Sequence, residues 1–164
     1  MIFMQSFNNV GNSDGDVSPT PAPARRNTSD VGCGAGWRDT GAVGLGCVRF
    51  NGTSVSYSEA NEYCQDRGAH LIEILTPVQM DFLRNQLRDI DEIIKHYWFG
   101  GATDEREEGK WIWSHSNAPV KSFVWGSGEP SGDTGVNHMC FSFSFGYSAG
   151  DYTNESPCCI ICQK

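Results

Sequence analysis

Tyr97-Trp98-Phe99-Gly100-Gly101-Ala102-Thr103-Asp104 opens a run that continues through Glu108-Gly109-Lys110-Trp111-Ile112-Trp113 and Trp125 to Gly128-Glu129-Pro130-Ser131 and His138-Met139-Cys140. The first piece has the length and apolar density of a short buried strand. In the second, two tryptophans flank Ile112, which predicts another strand after the Glu108-Gly109 turn. Gly and Pro around Glu129 mark a long loop. A third strand is expected to open at Cys140. From Tyr97 onward the chain therefore reads as β structure, and the loop between Trp113 and Cys140 is its longest irregular stretch.

At 164 residues the chain can build one core, and 38% apolar residues with five Trp, nine Phe and five Tyr are enough to fill it. Nineteen Gly and seven Pro indicate a loop-rich fold rather than a helical bundle. A formal charge of −8 excludes the basic footprint that nucleic acid or an anionic membrane demands. No run of 18 apolar residues predicts a transmembrane helix. Met1-Ile2-Phe3-Met4 is apolar but turns polar at Gln5, without the apolar stretch of a signal peptide.

Seven cysteines stand at 33, 47, 64, 140, 158, 159 and 162. Cys159-Ile160-Ile161-Cys162 has no second pair at zinc spacing, so a disulfide framework and an oxidising compartment are the reading. Three bridges among seven cysteines can be drawn in roughly a hundred ways, and counting does not choose between them. Secretion requires a leader, so the N-terminus is expected to be incomplete.

Residues 1–30, centred on Ser18-Pro19-Thr20-Pro21-Ala22-Pro23, lack the apolar surface to offset ordering entropy and read as a disordered linker or stalk. Asn27-Thr28-Ser29 and Asn51-Gly52-Thr53 are glycosylation sequons. The folded domain is expected over 31–164. Val48-Arg49-Phe50 reads as a strand. Ser56–Arg67 reads as a first helix, with Tyr57, Ala60 and Cys64 on one face. Thr76 and Pro77 supply the N-cap and first position of a second, whose stripe is Phe82, Leu83, Leu87 and Ile90, with Met80 beside it.

Taken together, these elements resemble a C-type lectin-like domain of the long form. The resemblance rests on the strand at Trp98, Glu108-Gly109-Lys110-Trp111, Trp125, Glu129-Pro130-Ser131 and Cys140, with Tyr57-x-x-Ala60-x-x-x-Cys64, Gly68-Ala69-His70-Leu71 and the Cys162 terminus. It covers about four-fifths of the chain, from Cys33 to Lys164. It implies an α+β fold of two helices flanking antiparallel sheets, stapled by disulfides and carrying a long ligand loop. The implied bridges are Cys33–Cys47, which closes an extra N-terminal hairpin, Cys64–Cys162 and Cys140–Cys158. Cys159 is left as a buried thiol, the alternative partner of Cys140, or an intermolecular link.

The same resemblance implies a secreted carbohydrate-binding lectin in which calcium assists and the Glu-Pro loop favours mannose-like sugars, in the recognition of glycans or glycoproteins. Carried over by residue, the site is Glu129, Pro130, Ser131, Asn154 and Glu155, with Glu129, Ser131, Asn154 and Glu155 as calcium ligands. Calcium takes six to eight oxygens, which carboxylates and amides provide. Two departures stand out. Ser131 replaces an amide, and His138 occupies a carboxylate position, where imidazole is a poor calcium ligand. Asn137 could serve only after a loop shift. Asn154-Glu155-Ser156 is itself a sequon. A second family calcium site would use Asp104 and Glu108, but its partners fall on Gly132 and Met139, so it is expected to be lost and both acids to be solvated turn residues. The alternative function is a calcium-independent domain that binds a protein partner with the same surface. His70, His96, His115 and His138 are scattered, no nucleophile motif is present, and an enzyme is not expected.

Overall fold

The computed structural model describes residues 32–92 and 95–164. The linker reading for residues 1–30 and the Asn27 sequon lie outside the described residues.

Strand β1 (Arg38–Asp39) pairs with β2 (Cys47–Val55) to form the N-terminal hairpin. The Cys33–Cys47 disulfide closes it, and a loop of this size contributes about 3 kcal/mol in the chain-entropy account. Helix α1 (Tyr57–Gln65) follows. Its N-cap Ser56 accepts the Glu59 N–H while the Glu59 carboxylate takes the Ser56 N–H at 2.9 Å. Helix α2 (Pro77–Ile90) has the same reciprocal box, Thr76 with Gln79, and its proline sits in the first turn. Each cap contributes on the order of 1 kcal/mol. Between the helices lies β3 (His70–Leu71). Then come β4 (Tyr97–Thr103), β5 (Ile112–Trp113), β6 (His138–Ser142), β7 (Ser148–Tyr152) and β8 (Cys158–Gln163). The third long strand thus opens two residues before Cys140, at His138.

The sheet runs β1-β2-β8-β4-β6-β7, with β3 on β8 and β5 on β4. All pairs are antiparallel except β4 with β8. The last strand in sequence therefore lies mid-sheet, and its run of five buried residues follows from having cores on both faces. Cys159 and Ile161 pack with Trp98, Trp113, Leu83 and Leu87. Cys158, Ile160 and Cys162 pack with Ala60, Cys64, Phe99 and Cys140. The Cys64–Cys162 disulfide ties α1 to this strand across 98 residues, a closure of about 4.7 kcal/mol on the same account. Cys140–Cys158 joins β6 to β8. Cys159 is free and buried; its thiol is 3.3 Å from the Gly52 carbonyl oxygen.

Two local features hold the strands in place. A Cβ on Gly101 would lie 2.6 Å from the Leu71 carbonyl oxygen, so only glycine lets β4 approach close enough for its N–H to reach Ile72 O at 2.8 Å. At the end of α2, the fully buried Asp91 accepts Trp98 Nε1 at 2.9 Å, Tyr147 Oη at 2.8 Å and His96 Nδ1 at 2.6 Å. Burial opposes its ionisation, but these hydrogen bonds outweigh it and hold the carboxyl below its usual range. Through Asp91, α2, β4 and the turn before β7 are joined.

Candidate functional site

The long loop turns on a cis peptide between Glu129 and Pro130. Proline is the residue at which that isomer is accessible. The turn faces β7, the strand at the far end of the sheet path. Ser131 donates both its N–H (2.8 Å) and its hydroxyl (2.9 Å) to Asp151 Oδ2. Its hydroxyl oxygen accepts the Asp133 N–H at 3.2 Å. Asp151 N donates to Glu129 Oε2 at 3.3 Å. Burial first, and then the hydrogen bond shared with the Asp151 carboxyl, push the Glu129 carboxyl above its ordinary range.

Glu129, Ser131 and Asp151 thus form one cluster, and Asp151 is the member that sequence reading missed. Counting back from Cys158 placed the partner at Asn154 and Glu155. The structure puts those two elsewhere. Asn154 accepts the Ser58 hydroxyl at 3.0 Å, its carbonyl accepts the Tyr57 N–H at 3.0 Å, and its amide donates to Glu155 at 2.8 Å. These contacts dock the turn after β7 onto the first residues of α1. Only strand pairing distinguishes the two assignments: Asp151 lies opposite Met139 in the β6–β7 ladder, whereas Asn154 lies beyond its end.

His138 points into the fold and away from the loop. Only 4% of it is exposed, its ring stacks on Tyr57 at 3.9 Å, and its Nε2 lies 3.3 Å from the Glu105 carboxylate. Burial pulls its pKa down, against the opposite pull of Glu105 and Asp104. Asn137 Oδ1 is buried and has no hydrogen-bond partner among the described residues.

Asp104 corrects the expectation of a solvated turn acid. It is 3% exposed, and its carboxylate closes the 104–109 turn by accepting the Gly109 N–H at 2.9 Å. Its carbonyl accepts the Glu107 N–H at 2.9 Å. Glu108, in contrast, is exposed.

Calcium fits the loop cluster poorly. Two carboxylates and one hydroxyl give at most about five side-chain oxygens, and the rest of the six to eight the ion takes would have to come from backbone carbonyls or water. Asp151 Oδ2 is already engaged by both Ser131 donors. A Cβ at position 150 would stand 3.3 Å from the Glu129 carboxyl carbon, the place from which a further side-chain oxygen would come, and residue 150 is glycine. Among the described residues no three His, Cys, Asp or Glu side chains group to hold a metal.

Beside the cis turn runs an open groove of about 650 Å³. Trp111, Ile112, Val120 and Trp125 line it, with Lys110 and Glu129 among its polar residues. The two indoles meet edge to face at 4.9 Å. Trp111 is buried, so the half-buried Trp125 is the indole that this groove offers beside Lys110 and Glu129.

Fold and loop together define a domain of the C-type lectin type. The profile of the Lectin C-type domain matches residues 53–164, and the chain belongs to that family. Over 133 residues it is 28% identical to the hepatic lectin of Gallus gallus, covering 80% of this chain and 61% of that one. The chain thus spans less than two thirds of that relative's length. It is 28% identical over 141 residues to a perlucin-like protein of Mytilus galloprovincialis, covering 84% and 83%. Among solved structures, the Ca2+-independent C-type lectin SPL-2 from Saxidomus purpuratus superposes with a TM-score of 0.68 at 22% identity, over 80% of this chain and 92% of that one. Among the described residues no helix is long and apolar enough to cross a membrane.

Proposed function

We propose that this is a secreted glycan-recognition domain whose long loop keeps its shape without calcium. The observation that carries this is the double hydrogen bond from Ser131 to Asp151. The loop's own donors occupy one oxygen of the carboxylate that a cation would need. A sugar then meets the protein directly, with a ring face against the groove at Trp125 and hydroxyls toward Glu129 and Lys110. The relatives named as lectins, one of them named Ca2+-independent, agree with this reading. The pairing of a Glu-Pro turn with family membership keeps mannose-like sugars as the first class to screen. Residues 31–164 form the binding domain in this reading, with 1–30 as its tether.

The test is a glycan array probed with the oxidised protein in calcium and in EDTA. Binding that survives EDTA, is competed by free monosaccharide and is lost in Trp125→Ala supports the proposal. Binding abolished by EDTA would return calcium to the mechanism. A blank array, with a protein captured in EDTA, would favour the second reading, a protein-binding domain. The groove's largely apolar lining is the observation in favour of that alternative.

A further inference from the structure

Two sequons lie within the described residues, and the fold treats them differently. In β2 the register with β8 moves from Asn51↔Ile160 to Val55↔Cys158. Strand β2 thus advances four residues while β8 advances two, so Gly52, Thr53 and Ser54 bulge out of the ladder. All three are exposed. Strand alternation sends Val48 and Phe50 toward the tryptophan core and Asn51 to the other face. Asn51 Oδ1 accepts the Thr53 N–H at 3.0 Å, and among the described residues its Nδ2 makes no hydrogen bond. Both ends of the sequon are therefore held on one outward turn, and the amide nitrogen is left over.

Asn154 is the opposite case. Its oxygen accepts from Ser58 in the contact that docks the turn on α1, and its nitrogen donates to the adjacent Glu155. A glycan on that nitrogen would crowd this contact and stand three residues from Asp151.

We propose that Asn51 carries an N-linked glycan in the mature protein and that Asn154 does not. The donor would be an oligosaccharide on a polyprenyl pyrophosphate. Asn51 Nδ2 forms the bond to C1 of the first sugar and loses one proton. The C1–oxygen bond breaks, and the polyprenyl pyrophosphate leaves with the electron pair. The location suits such a group. From β2 the sheet path crosses β8, β4 and β6 before reaching β7, four steps of roughly 4.8 Å each. The glycan would stand clear of the Glu129–Asp151 cluster, over a bulge whose Gly52 carbonyl and Ser54 hydroxyl lie against the free Cys159 thiol.

The full chain, expressed in a eukaryotic cell behind a secretory leader, tests the acceptor independently of how the natural chain is exported. Secreted and cell-retained protein are digested, treated with an amidase that converts glycosylated Asn to Asp, and read by peptide mass. The expected result is conversion at Asn51 and none at Asn154. The Asn51 conversion should be lost in Thr53→Ala and kept in Thr53→Ser, and Asn51→Gln should lose the corresponding carbohydrate mass from the intact protein. An unmodified Asn51 peptide in the wild type would overturn the proposal, and so would conversion at Asn154.

Discussion

Ser131 gives both of its donors to a single oxygen of Asp151, the N–H at 2.8 Å and the hydroxyl at 2.9 Å. A residue of the long loop is thereby latched to a strand at the end of the sheet path. Asp151→Ala removes both bonds at a partly exposed site and should cost about 1–2 kcal/mol, lowering the melting midpoint by several degrees. Limited proteolysis should then cut between 126 and 137 faster than in the wild type. Ser131→Ala keeps the N–H donor and should give about half the loss. Equal effects from the two variants would show that the hydroxyl bond carries the latch alone.

Calcium removal should leave stability unchanged. An ion bound only by the folded state at a hundred times its dissociation constant adds about 2.7 kcal/mol, which a thermal melt detects readily. Melts in millimolar calcium and in EDTA are expected to coincide. A calcium-dependent rise that Glu129→Ala abolishes would overturn the reading of the donor set.

Asp91 should dominate acid stability. Its folded pKa lies below the ordinary carboxylate value of 3.8. Its contribution is therefore full above that value and is lost as the pH falls through the folded pKa. Asp91→Ala strands three donors, from Trp98, Tyr147 and His96, and should cost about 3 kcal/mol or more. Tyr147→Phe removes a single partner and should cost about 1 kcal/mol. Urea midpoints measured across pH 2 to about 5 check both, and the acid slope should flatten in the Asp91 variant.

His138 gives a second pH dependence, at higher pH. Burial lowers its folded pKa below 6.5, so the unfolded chain binds the extra proton first. Stability should therefore fall as the pH drops below that ordinary value, and the loss should level off below the folded pKa. His70 shifts the same way, again through burial. Urea midpoints from pH 7.5 to about 5 should decline, and less so in His138→Gln. An unchanged decline would assign the effect to His70.

Cys159 should be invisible to thiol reagents in the native protein. Burial raises its pKa and keeps the thiolate, the reactive form, scarce. A colorimetric thiol assay should detect no reactive thiol in buffer and one after denaturation, since six of the seven cysteines are bridged.

Much of the fold was legible because its signals are local. Thr76-Pro77 sets a helix start by hydrogen-bond chemistry within four residues, and Tyr57, Ala60 and Cys64 repeat at the helical period. The Glu129-Pro130 turn was legible for the same reason. The third member of its cluster was not. Asp151 and Asn154 are both polar residues near the end of a short strand, and nothing local says which one lies opposite the loop. Asp104 escaped too, because a run of five acids and bases looks solvated until the turn folds over its first member.

The sequence by itself determined the family, the helix starts, the loop's cis-capable proline and the number of cysteines, all properties of residue type and short spacing. Tertiary structure alone decided that Asp151 meets the loop, that His138 turns inward against Tyr57 and that Cys159 is the unpaired thiol. Those outcomes depend on strand register, and a shift of one residue exchanges the two faces of a strand. In β8 the same alternation sends Cys158 toward Cys140 and Cys159 toward the tryptophans. Until β8 is seated between β2 and β4, neighbouring cysteines have no way to differ.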